Sequence, residues 1–237
     1  MKKINKPIIG IISKPNIFCD EELFTQQIVY DGLRCAILKN DGIAIGILPT
    51  QAINKFCDTD QLDLTQLSKQ ELEDLHQLID MCDGIVLEGG LSSASYEIEA
   101  AKYAIEKDIP LLGVCAGFNN IVRAMGGNVF LDGNNEKHNQ EDAKYAHENT
   151  VTKNSLLYNI LNKEQIRVNS IHTMFALEEN IKNLDISAFS DDGYVETVEL
   201  KNNKFCLGLK WHPDLMIDYD KSMNKIFQAF VEVCKSK

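Results

Sequence analysis

The sequence predicts an α/β fold built on a mostly parallel sheet, and three observations carry that prediction. The apolar runs Ile8–Ile12, 84–87 and 111–114 are continuous rather than alternating, as suits strands covered on both faces. Between them lie segments whose apolar residues recur at helical spacing. The strand candidates also end in glycine-bearing turns, Gly89-Gly90 and Gly113-Val-Cys-Ala-Gly117, which is where open α/β sheets hold ligands. At 237 residues and 44% hydrophobic content, with no linker to divide it, the chain reads as one domain over 1–237.

Taken in order, Ile8–Ile12 opens as a strand. Asp20 with Glu21 and Glu22 suits a helix start, Leu33 and Ile37 mark its apolar face, and Asn40-Asp-Gly42 stops it before a strand over 43–48. Residues 50–67, with Asp58, Asp60 and Asp63, read as an irregular excursion. Ser68-Lys-Gln-Glu71 is a capping box that opens a helix through Leu72, Leu75, Leu78 and Ile79. The strand in Asp83-Gly-Ile-Val-Leu-Glu-Gly-Gly90 follows, then a helix over 95–107, then the strand launched by Pro110. Phe118, Ile121, Val122 and Met125 keep helical spacing until Gly126-Gly127 ends the run. Beyond it the alternation weakens. A polar loop over 133–147 carries His138 and His147, and short strands are expected near 148–152, 166–170, 186–190, 194–200 and 205–210. A helical turn over 155–161 and an amphipathic helix over 219–233 complete the chain.

A formal charge of -11 argues against nucleic acid or an anionic membrane surface as a main partner, since both need clustered Lys and Arg. Pro7 and Gly10 break the first apolar run, so it lacks the continuous core of a signal peptide, and no later stretch is long enough to span a bilayer. The cysteines number 7, scattered without framework spacing, as expected of reduced thiols in a cytoplasmic protein. None pair as Cys-x-x-Cys, so a structural zinc site is not expected.

The chemistry gathers at Cys115, which stands where strand becomes helix. With Gly113 and Gly117 on either side, the turn is the thiol counterpart of a nucleophile elbow. The positive end of the helix favours a thiolate, and the Ala116 amide points where an oxyanion would develop. On these residues alone, a buried cysteine packed as a small hydrophobe between two glycines is an equal reading. About a hundred residues on stands Trp211-His-Pro-Asp214, in which Pro213 fixes a turn that lets Asp214 orient His212. Cys115, His212 and Asp214 then make a triad in kind.

These residues resemble the class I glutamine amidotransferase-like superfamily and, within it, the gamma-glutamyl-gamma-aminobutyrate hydrolase family. The likeness runs through Pro7-Ile-Ile-Gly10, 83–90, 110–117, Gly126-Gly127 with Asp132, Val168-Asn-Ser-Ile-His172 and 211–214. It implies a flavodoxin-like three-layer sandwich with a small edge β-subsheet. It implies Cys115 as nucleophile, His212 as general base and acid, Asp214 as the orienting carboxylate, and Gly90 and Ala116 as oxyanion-hole amides. Gly89, Asn119, Asn169, Ser170 and His172 would then face a small gamma-glutamyl substrate, and the reaction the resemblance implies needs no metal or organic cofactor. The chain departs from the family pattern in four places. Asp214 replaces the usual Glu, Ala116 an Arg and Asn119 a Gln, while His172-Thr-Met174 stands for His-His-Gln.

The resemblance leaves room for a second role, a glutaminase subunit that passes ammonia to a partner synthase, and for a homodimer. A binding or redox-sensing protein that keeps only the cysteine elbow would be expected to lack His212 or its carboxylate, and both are present.

Overall fold

A computed structural model describes residues 6–16, 26–51, 62–63, 65–90, 93–132 and 135–235. Its main sheet has nine strands: β1 (Ile8–Ile12), β2 (Ile43–Ile47), β3 (Gly84–Leu87), β4 (Leu111–Val114), β5 (His147–Val151), β6 (Gln165–Val168), β7 (Asp185–Ser190), β8 (Val195–Glu199) and β9 (Cys206–Leu209). Their spatial order is β6-β5-β7-β8-β9-β4-β3-β1-β2. From β2 to β9 every pairing is parallel. From β9 outward to β6 every pairing is antiparallel.

The parallel half has the predicted connections: α1 (Asp31–Lys39), α2 (Lys69–Asp80) and α3 (Ser95–Glu106) cross between strands, and α4 (Ala116–Ala124) leaves β4 directly. Ser68 caps α2 through the reciprocal bonds that its sequence calls for. Further on come α5 (Leu156–Leu161), capped by Ser155, then α6 (Pro213–Met216) and α7 (Asn224–Cys234). One core cluster joins Ile9 and Ile11 to Leu33 and Ile37 of α1, Leu157 of α5, and Phe227 and Phe230 of α7. A second joins Ile12 and Ile85 to Leu75 and Ile79 of α2, Ala100 of α3, and Phe118 and Ile121 of α4. The sheet therefore lies between two helical layers, the expected three-layer sandwich. Trp211, the one tryptophan of the chain, is fully buried in the first cluster.

Several boundaries differ from the sequence reading for local reasons. The first helix begins at Asp31, not near Asp20, because Gln27–Ile28 pairs as a short antiparallel strand with Lys14–Pro15. Asp20, Glu21 and Glu22 lie outside the described residues, as do Asp58 and Asp60. Within the excursion after β2, Leu62–Asp63 pairs in parallel with Ser93–Ala94. The last helix starts at Asn224 rather than Tyr219, because Asp220 accepts from the Ser222 backbone N–H at 2.9 Å and holds a turn there. His147 is the first residue of β5, not the end of a loop. Of the strands after Gly127, Phe130–Leu131 and Met174–Phe175 pair as a small separate sheet, while the others continue the main sheet beyond β9.

Candidate active site

The site grows from the junction of β4 and α4. Cys115 caps α4 with φ 54° and ψ -103°, a backbone conformation that costs a non-glycine residue roughly 1–3 kcal/mol. Close packing of the backbone on both sides of it permits that turn. A Cβ on Gly117 would run into the Leu87 carbonyl, and one on Gly113 would stand 2.7 Å from the Gly117 carbonyl. The elbow thus depends on both glycines that the sequence singled out.

His212 arrives from the other direction, after β9, as the residue that caps α6, with Pro213 in the first helical position. Its Nδ1 lies 3.5 Å from Oδ1 of Asp214. The opposite edge of the ring faces Gly89, where an added Cβ would meet Cε1 at 2.5 Å, Nε2 at 3.1 Å and the Cβ of Cys115 at 3.4 Å. Thiol and imidazole therefore share one slot over Gly89. The second oxygen of Asp214 rests against the first turn of α1, 2.7 Å from where a Cβ on Gly32 would sit.

Burial alone would raise the Cys115 thiol, but the charge of His212, its hydrogen bond, Lys210 and the Gly90 backbone N–H together lower it. Burial likewise works against the imidazolium, yet the facing Cys115 and the bond to Asp214 hold His212 up at about 10. Each partner thus favours the charged form of the other, the thiol pushed toward thiolate and the imidazole toward imidazolium. Gly90 has φ 138°, a conformation open to glycine, and its N–H already points at the sulfur. The Ala116 N–H is the first amide of α4, one of those without an intrahelical acceptor.

A cavity of about 520 Å³ opens over the thiol. Of the residues expected to face a substrate, Asn119 and His172 line it, together with Thr173 and Met174. Asn119 also accepts a hydrogen bond from Lys210 Nζ at 2.9 Å. Asn169 is held differently. Its Nδ2 donates to the His212 carbonyl at 3.0 Å and its Oδ1 accepts from the His212 N–H at 2.9 Å, so both ends of the amide clamp the His212 backbone. The Ser170 hydroxyl donates to the His138 carbonyl at 2.7 Å, away from the cavity. Gly89 serves by having no side chain.

Two features beneath the site were not read from the sequence. Glu88 is fully buried, accepts from the Tyr30 N–H at 2.8 Å, and is pushed by desolvation to about 8. Lys14 and Glu97 form a buried ion pair at 2.5 Å, and the Lys14 stem lies where a Cβ on Gly90 would be, 2.6 Å from its Cδ. Glu97 also accepts from Asn120 at 3.2 Å and from the Ala94 N–H at 2.8 Å. The sequence signal for Glu88 was a charged residue ending an otherwise apolar strand. For Lys14 there was none beyond its place just after β1.

The sequence pattern of Peptidase C26 matches residues 91–214, a span that covers over half of the chain and holds Cys115, His212 and Asp214. The chain belongs to the Peptidase C26 family. Among proteins similar to this member, Protein NtpR of Enterococcus hirae is 26% identical over 237 residues, covering 95% of this chain and 98% of that protein. Gamma-glutamyl-gamma-aminobutyrate hydrolase PuuD of Escherichia coli strain K12 is 27% identical over 192 residues, 68% of this chain and 75% of the enzyme. The glutaminase domain of Trypanosoma brucei CTPS, solved with bound acivicin, superimposes with a TM-score of 0.69 at 17% identity, covering 98% of this chain and 94% of that one. Peptidase C26 membership and the PuuD likeness make this a chain of a hydrolase family, with the fold of glutaminase domains. Among the described residues no helix is long and apolar enough to cross a membrane.

Proposed function

We propose that this protein hydrolyses gamma-glutamyl amides through a glutamyl thioester on Cys115. The observation that carries the reading is the Cys115 thiol on a strained elbow, facing His212 over Gly89 at the floor of a cavity large enough for such a substrate. Cys115 Sγ attacks the amide carbonyl carbon, and the oxygen, now negative, is received by the N–H groups of Gly90 and Ala116. His212 gives its Nε2 proton to the departing amine nitrogen as the C–N bond breaks. Neutral His212 then takes a proton from water, the hydroxide adds to the thioester carbonyl, and the C–S bond breaks to return the thiolate, the imidazolium and free glutamate. Asp214 orients the imidazole through Nδ1, and Asn169 holds its backbone.

The cavity wall favours a leaving group larger than ammonia. Thr173 and Met174 line it, with Ile171 and Leu215, and Met174 offers a flexible apolar surface. Asp31 and Glu141 also line the cavity, and among its described lining residues there is no lysine or arginine. An amine that carries positive charge suits that wall better than one ending in a carboxylate.

The test is release of glutamate by the purified protein from glutamine, a gamma-glutamyl arylamide and gamma-glutamyl amides of cationic and anionic amines. Turnover of the larger amides, absent in Cys115→Ala, is expected. If none of the panel is cleaved, the reaction is wrong. If glutamine is turned over as well as the others or better, the second reading gains: a glutaminase subunit serving a synthase, favoured by the likeness to the CTPS glutaminase domain.

A further inference from the structure

We infer that His138, His147, His172 and Glu196 form a closed, structural zinc site in the antiparallel half of the sheet. All four side chains are buried, and one ligand atom from each lies within 4.8 Å of the others. His138 Nδ1 is 3.4 Å from His172 Nε2 and 3.5 Å from Glu196 Oε1. Glu196 Oε1 is in turn 3.6 Å from His172 Nε2. A tetrahedral zinc with bonds of roughly 2.0–2.2 Å needs ligand atoms roughly 3.3–3.6 Å apart, so these three atoms already outline one face of such a tetrahedron. His147 stands beside them, its ring centroid 4.2 Å from that of His138.

The hydrogen bonds around the cluster are those that a metal would require. His138 turns its other nitrogen to the Asp192 carboxylate at 3.1 and 3.2 Å, and Asp192 is itself held by the Ser190 hydroxyl at 2.6 Å. His172 Nδ1 lies 3.1 Å from the Met174 carbonyl. The second oxygen of Glu196 faces Asn149 Nδ2 at 3.5 Å. Carboxylate and carbonyl partners of this kind fix the tautomer of a metal-bound imidazole and aim its free nitrogen inward. On the inward side the needs are unmet. Among the described residues Oε1 of Glu196, 0% exposed, has no hydrogen-bond partner, and neither ring nitrogen of His147, 5% exposed, meets one in good geometry, with only the Glu148 backbone and the Asn149 side chain beside the ring. Buried polar atoms are rarely left so. A single cation would satisfy them together.

Three imidazoles and one carboxylate, without sulfur, suit Zn²⁺, and four protein ligands leave no open position for chemistry. The role is therefore architectural. Asn139, Glu141, Ile171, Thr173 and Met174, which line the cavity, flank the ligands in the chain. The metal would rivet that wall to β5 and β8.

The test does not depend on the reaction proposed above. The full-length protein is stripped with a chelator and titrated with zinc alone, reading metal per chain by elemental analysis and the thermal midpoint. About one zinc per chain and a rise in midpoint are expected, as for a closed structural site. His147→Ala and Glu196→Gln should lose the bound metal, whereas His76→Ala, whose ring stacks on Tyr103, should keep it. Should those two variants fail to fold, Co²⁺ titrated into the wild-type protein should give the visible absorption of a tetrahedral nitrogen–oxygen site. Wild-type protein that takes up no stoichiometric zinc and shows no shift in midpoint would overturn the inference. So would zinc retained by a folded His147→Ala, or cobalt spectra of an octahedral, water-rich ion.

Discussion

The two halves of the sheet hold their functional residues by different means. In the parallel half, Cys115, Gly89 and Gly90 are placed by backbone: a forbidden turn, close helix–strand contact, and amides at strand ends. In the antiparallel half, the cavity wall is placed by side chains, among them Ser170, Asp192 and the histidine cluster. Backbone placement tolerates little change, whereas a wall held by side chains can vary in shape while the chemistry stays put. Two of the four departures from the family pattern fit that division. Ala116 keeps its amide whatever its side chain, while Thr173 and Met174 alter the wall.

The sharpest way to break the contrast is at the thiol. Cys115→Ala should lower kcat by at least about four orders of magnitude, with the fold intact by circular dichroism. In the wild type, iodoacetamide near neutral pH should label Cys115 first. Burial raises Cys206 and Cys234 to about 12, and a hydrogen bond to Asp31 raises exposed Cys35. Labelling should fall on the acid side as the thiolate–imidazolium pair gains a proton, and that limb belongs to the pair. Preferential labelling of another described cysteine would count against the assignment. The pair also sets a sign for stability. The contribution of His212 is complete below its unfolded value of 6.5 and is lost as pH rises through about 10.

Next in size is the carboxylate. Asp214→Asn should reduce kcat by about 10²- to 10³-fold, well short of the loss on removing the thiol, while Asp214→Glu should keep most activity. Steady-state kinetics on a cleaved amide would show it; an Asn variant equal to wild type would reduce the triad to a dyad.

A change in the wall should act on choice rather than on chemistry. Met174→Ala should lower kcat/KM for the larger amides by about tenfold and leave glutamine nearly unchanged. An equal loss on both substrates would mean that the two halves are not separable in this way.

The smallest effect on turnover is expected from Glu88, which is read instead from the dependence of stability on pH. Its folded value of about 8 lies above the ordinary 4.5, so its contribution to stability is complete below 4.5 and is lost as pH rises through about 8. Glu88→Gln should flatten that part of the stability profile in denaturant titrations. An unchanged profile would show that Glu88 is ionised in the fold.

The same division explains what the sequence made legible. The parallel half is written in local signals: apolar runs, the Ser68 capping box, and glycines around Cys115, each of which acts within a few residues. The triad proposed for the reaction could be suggested from sequence because Pro213 holds His212 and Asp214 in one turn. The histidine cluster was not, because its members stand at 138, 147, 172 and 196 and meet only once the antiparallel strands pair. From sequence His138 and His147 stood only in a polar loop and His172 only as a substrate contact, with nothing to join them to Glu196. The misplaced starts near Asp20 and Tyr219 have a related cause. The pairing of Gln27–Ile28 with Lys14–Pro15 and the turn at Asp220 override helical composition that the sequence shows plainly.

Trp211 gives the molecule an optical reporter. It is the sole indole, it is sealed in the core, and it is bonded directly to His212. Its emission should therefore sit toward the blue in the folded protein and move red when water reaches the end of β9. Protonation or acylation beside it should change the intensity without moving the band. Substrate turnover, thiol alkylation and local opening of the site could then be followed in real time on the unlabelled chain.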